Sequence, residues 1–78
     1  MSQTFQTHSP ITILRRKQVE ARTGLSRSAI YDKLNPKSPR HDQTFPVQVR
    51  LGMDAVGWLE SEVDAWILSR VQARSSVG

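Results

Sequence analysis

A glycine and a serine set two positions apart divide the stretch TGLSRSAIYDKL, residues 23–34, into two helical halves. Residues Arg16 to Thr23 are good helix formers, and Gly24 supplies the left-handed cap conformation without a Cβ penalty, so a first helix stops at Thr23 or Gly24. Ser26 can then accept from the free backbone N–H groups of a second helix, Arg27 to Leu34, with Ala29, Ile30 and Leu34 available to face inward. Asn35-Pro36 ends it, because the residue before a proline is pushed out of the α region. The spacing predicts two short helices meeting at a tight corner, with Val19 behind it and Ile30 and Leu34 within it. Such a corner cannot stand alone. At 78 residues the chain buries only ~60% of its unfolded surface, and without cysteine it has no disulfide or thiolate metal site to supplement a thin core.

The rest of the chain must complete that core. Residues 1–10 are polar, carry no Lys, Arg, Asp or Glu, and show no periodicity, which predicts a flexible arm. The apolar run ITIL, Ile11 to Leu14, reads as an extended lead-in covering one edge of the core. PKSPRHDQTF, residues 36–45, has two prolines and no period, so it is expected to be a loop, long for so small a domain and hence of the functional or mobile kind. After it Val47, Val49 and Leu51 alternate with Gln48 and Arg50, the period of a half-buried strand. Gly52 to Ala55 make a turn, and Val56 to Trp58 return as a second short strand, giving a β-hairpin with Arg50 and Gly52 at its tip. Leu59, Val63, Trp66, Ile67 and Val71 then recur at helical intervals, marking an amphipathic helix from about Glu60 to Ala73. Acids at its start and Arg70 and Arg74 at its end suit the helix dipole. Trp58 and Trp66 lie on apolar stripes and are assigned to the core, and Gly57 to a bulge or a close approach. The expected organisation is an arm at 1–10, one domain at 11–74 and a disordered tail at 75–78. Its fold class is mostly α with a small β-hairpin: a helix-turn-helix with a wing.

Charge narrows the function. The net charge of +4 is uneven: residues 15–50 hold nine Lys/Arg against three acids, whereas residues 51–78 hold two against four. That gradient favours a polyanionic partner meeting the first half, the plainer alternative being a solubility charge with no partner. His8 and His41 sit beside or near prolines without helical spacing and read as solvated loop residues, so neither metal nor cofactor is expected. No apolar run approaches the ~20 residues of a membrane span, and the N-terminus lacks a basic segment followed by an apolar one, which points to the cytoplasm. An enzyme is not expected either. There is no usable Ser/His/Asp spacing, evident carboxylate pair or glycine-rich phosphate loop.

From Leu14 to Arg74 the segments VEARTGLSRSAIYDKL, TFPVQVRLG and AVGWLESEVDAWI resemble those of the AlpA-type prophage regulatory proteins, a branch of the MerR-like and excisionase-like winged helix-turn-helix proteins. The last two segments are the more distinctive, since short helix-turn-helix patterns alone give many false positives. The resemblance implies a small bacterial or phage DNA-binding regulator whose second helix enters the major groove while the wing lies along the backbone or minor groove. Members act as transcriptional activators or, in the excisionase branch, as architectural factors. Two positions depart from the family's pattern: Arg16 stands where an apolar residue usually packs, and Asp32 where an arginine is common.

The residues themselves suggest the same surface. A helix start bearing Ser26, Arg27 and Ser28 offers N–H groups, two hydroxyls and a guanidinium to phosphates or base edges, although Ser26 as a mere cap and Arg27 as a solvated side chain is the plainer alternative. Arg27 paired bidentately with guanine would supply ~1–3 kcal/mol of discrimination. Tyr31 either reaches a phosphate or packs at the core edge. Lys33, Lys37 and Arg40 can track the backbone. Arg50, on the outward face of the first wing strand, is placed for a phosphate or minor-groove contact, or else for a cross-strand pair. Asp32 either accepts from cytosine N4 or pairs with a neighbouring Arg or Lys side chain. The leading expectation is a sequence-specific transcriptional regulator on double-stranded DNA. An excisionase-like directionality factor that bends attachment-site DNA needs the same fold, and an adaptor using the last helix to recruit RNA polymerase, an integrase or a sibling subunit is the third class. One short recognition helix rarely suffices alone, so a homodimer or cooperative assembly on DNA is expected.

Overall fold

The corner forms where the glycine stands. In a computed structural model describing residues 11–77, with side chains described through residue 74, Gly24 has φ 77° and donates its N–H to the Glu20 carbonyl at 2.8 Å. This closes helix α1, Arg16–Thr23. Thr23 reinforces the corner, its hydroxyl donating to the Val19 carbonyl at 2.7 Å and accepting from the Leu25 N–H at 3.2 Å. Helix α2, Arg27–Leu34, starts at Ser26, whose Oγ accepts from the Ala29 N–H at 3.1 Å. The arm expected at residues 1–10, with His8, lies outside the described residues, as does Gly78.

The apolar lead-in is a strand. β1, Ile13–Leu14, pairs antiparallel with the four-residue β3, Val56–Leu59, which also pairs with β2, Val49–Arg50. The sheet thus has three strands in the order β1-β3-β2 rather than a bare hairpin. Its middle strand needs Gly57: a Cβ there would collide with the Ile13 side chain and crowd the Leu14 carbonyl oxygen. The bulge-or-approach alternative resolves to close approach. Helix α3 follows as Glu60–Val77, so residues 75–77, expected to belong to a disordered tail, continue it as helix.

The core comprises Leu14, Val19, Ile30, Phe45, Trp58, Val63 and Trp66, with Leu25, Leu34 and Ile67 packed against it. Each fully buried Val or Ile stabilises by ~1.5–3 kcal/mol relative to exposure. Both tryptophans are core residues, as their stripes predict; the indole N–H of Trp58 is buried without a partner among the described residues, while that of Trp66 donates to Asp42 Oδ2 at 3.2 Å. The first wing strand departs from expectation. Val47 is 70% exposed and Leu51 46%, so the alternation over 47–51 does not place that face in the core. Phe45 and Pro46, which precede the strand, are buried instead.

The loop at 36–45 is a chain of turns. Asn35 Oδ1 accepts from Lys37 N–H, Ser38 Oγ from Arg40 N–H and Asp42 Oδ1 from Thr44 N–H, all at 2.9–3.0 Å. Phe45 then meets the Trp66 ring edge-to-face at 5.0 Å. On the opposite side Arg22 binds Glu60 at 2.9 Å and Asp64 at 2.8 Å, tying the end of α1 to the start of α3. Among the described residues no helix is long and apolar enough to cross a membrane, and no group of His, Cys, Asp or Glu could hold a metal ion.

Candidate nucleic-acid interface

Burial of Ile30 and packing of Leu34 fix the orientation of α2. Ser26, Arg27 and Ser28 stand exposed at the start of the helix, and Arg27 and Tyr31, four positions apart, share a face. Tyr31 is 37% exposed and the Arg27 guanidinium lies over its ring, 5.8 Å from the centroid. The ring therefore lies at the core edge and still presents surface, carrying a cation that faces solvent. Ser26 uses one lone pair as the cap, which leaves its hydroxyl proton free to donate.

Beside Tyr31 the wing and α1 enclose a depression of about 460 Å³, lined by Arg15, Arg16, Lys17, Tyr31, Asp54 and Val56. Arg15 Nε donates to the Val56 carbonyl at 2.9 Å, which fastens the start of α1 to the wing and leaves the outer guanidinium nitrogens available. Arg16 pairs with Glu20 one turn on. That pair accounts for a charged residue in a place where the family usually has an apolar one. Sequence reasoning did not single out these three, although the run RRK at 15–17 stood in the basic block. Arg50 Nη1 donates to the Met53 carbonyl at 3.1 Å, closing the wing turn rather than making a cross-strand pair.

The remaining candidates occupy the other flank of α2. Lys33 is two residues from Tyr31, hence ~200° around a helix of 3.6 residues per turn, and its Nζ lies 5.5 Å from the centroid of the Trp66 ring. Arg70 stands 5.8 Å from the same centroid. Arg40 approaches Asp32 at 3.7 Å, a loose ion pair that favours the pairing alternative for Asp32. Lys37 is exposed on the first turn of the loop. The structure therefore brings Arg27, Tyr31 and the wing together, with Ser26 and Ser28 at the same helix start. Lys33, Lys37 and Arg40 form a second set near the helix end. Near the second set, hydrogen bonds from the Thr44 hydroxyl, then from the Thr44 N–H and the Trp66 indole, with Lys33 nearby, hold the Asp42 carboxyl below its ordinary value, together outweighing the desolvation that pushes it up.

Residues 12–71 match the family described as Prophage CP4-57 regulatory protein (AlpA). The chain belongs to the AlpA family. It is 52% identical over 66 residues to the DNA-binding transcriptional activator AlpA of Escherichia coli (strain K12), a match covering 85% of this chain and 94% of that protein. It is also 43% identical over 61 residues to the uncharacterized protein ORF88 of Enterobacteria phage P4, covering 78% of this chain and 62% of that one. No solved structure matches. The AlpA match spans both sets of candidate residues, the wing and most of α3, and it leaves outside only the two ends.

Proposed function

We propose that this AlpA-family chain is a sequence-specific DNA-binding transcriptional regulator of prophage type, with α2 in the major groove and the wing on the backbone or minor groove. The observation that carries this reading is the free face of α2. Its inner face is spent on Ile30 and Leu34, while the outer one presents Arg27, Ser28 and Tyr31 beside a wing whose Arg50 faces the same solvent. The named activity of the E. coli relative supports it. Arg27 would read a base edge and Ser26 and Ser28 would hold the adjoining phosphate, since phosphate contacts set register and base contacts specify. Arg15 and Lys17 add backbone contacts from α1. Work on DNA places the protein in the cytoplasm, with RNA polymerase or an integrase as neighbours at the same DNA.

Binding of the purified protein to its own promoter region tests the reading. Arg27→Ala is expected to cost ~1–3 kcal/mol and to relax preference at one base pair. Arg50→Ala should weaken all sequences alike and lower the salt slope of log K by about 0.9. Unchanged binding by both variants would refute the proposal. Joining a promoter reporter to the same experiment distinguishes activation from an architectural role in excision.

A further inference from the structure

The wing ends in a side chain with no role in folding. Met53 is 88% exposed, more than any other large apolar residue among those described, and it stands at the apex of a turn held by several bonds. Leu51 and Gly52 N–H groups both donate to the Ala55 carbonyl, at 2.8 and 3.2 Å, and Arg50 donates to the carbonyl of Met53 itself. A rigid turn thus holds out an unbranched apolar side chain, with a guanidinium at its base. Leu51 is only half out, since it leans toward Gly57. The far limb of the turn, through Asp54 and Val56, borders the same depression as Tyr31 and Arg15 to Lys17. The apex therefore stands on the side of the domain that carries the free face of α2.

We infer that Met53 is a wedge that enters the DNA minor groove and partly unstacks one base step, so that the wing bends the duplex as well as touching it. This rests on the DNA-binding reading above. The minor groove is ~6 Å wide, enough for a thin methionine side chain, and apolar residues at such positions pry open base steps and kink the duplex by ~20–90°. Pyrimidine–purine steps open most easily, so the wedge would add sequence preference at a position no hydrogen bond reads. Charge favours DNA over a protein partner: Arg50 bonds at the base of the apex, and Arg15, Arg16 and Lys17 line the depression that its far limb borders, outnumbering the one acid there, Asp54, a surround that fits phosphate rails beside a groove.

The test uses the full chain and a duplex selected by the wild-type protein from a randomised library. Bending is read by energy transfer between dyes at the duplex ends, and unstacking by 2-aminopurine placed at successive steps under the wing. The wild type is expected to shorten the end-to-end distance and to brighten one step. Met53→Ala should still bind, within about tenfold, yet lose both signals, and Met53→Leu should restore them. If Met53→Ala binds and bends as the wild type does, with the same bright step, the wedge is wrong and the exposed apex is left to a protein partner. If the wild type selects no duplex at all, the DNA-binding reading falls, and the wedge with it. Circular dichroism of the variants guards against misfolding, which is not expected of so exposed a position.

Discussion

Gly57 shows how much a single position can constrain this domain. It lies between the two outer strands of the sheet, where an added Cβ has no room beside the Ile13 side chain or the Leu14 carbonyl. Gly57→Ala should therefore destabilise by about 1–3 kcal/mol, the usual cost of overpacking, and urea unfolding would measure it. Asp42 makes a different sort of demand. Its folded-state value is depressed below the ordinary 3.8, chiefly by the Thr44 hydroxyl and then by the Thr44 N–H and the Trp66 indole. Its stabilising contribution is thus complete above pH 3.8 and fades as pH falls through the lower folded value. In Asp42→Asn that contribution is absent at every pH. The stability gap between wild type and variant is expected to hold steady from neutrality down to about pH 4 and to close only as pH falls below 3.8, as followed by urea midpoints at successive pH values.

At the scale of elements, the two flanks of α2 have different surroundings, and Lys33 tests whether the second one meets DNA. Lys33→Met keeps an apolar stem over Trp66 and removes only the charge. If the second flank follows a DNA strand, the salt slope of log K should fall by about 0.9 while the thermal midpoint stays near that of the wild type. The helices behind this prediction were legible because each has local punctuation: Gly24 and Ser26 for the first two, and a recurring apolar stripe for α3. The wing was legible in outline through Gly52 and the alternation around it. Its burial was not, since alternation shows which residues share a face but not whether anything covers it. Phe45 escaped notice for a related reason. It sits in an aperiodic loop, and only the folded path of that loop, fixed by three side-chain-closed turns, brings it to Trp66. The interface was divided in the same way: Arg27 and Ser28 follow from the helix start, whereas Arg15 and Lys17 become neighbours of Tyr31 only once the wing closes the depression.

For the molecule as a whole, the arrangement of acids matters as much as that of the bases. The last 28 residues, 51–78, carry four acids, and unpaired they would oppose a polyanion approaching a domain with a net charge of only +4. Two of them, Glu60 and Asp64, are held by Arg22 on the side where α1 meets α3. Their grip, with the Asp64 hydrogen bond first, raises the Arg22 value above its already high norm. Arg22 is therefore expected to support DNA binding without touching DNA, by cancelling charge at a distance. Arg22→Ala should weaken binding at low ionic strength through the two freed carboxylates, and it should also lower the thermal midpoint by loosening α1 from α3. Salt separates these effects. The Debye length shrinks from ~10 Å at 0.1 M to ~3 Å at 1 M, so a field effect on affinity must fade as salt rises, whereas a loss caused by partial unfolding would persist. Binding isotherms of wild type and variant across that range, beside melting curves in the same buffers, would show converging affinities if charge balance is what Arg22 provides. Parallel affinity curves at all salts would instead assign its role to the α1–α3 joint alone.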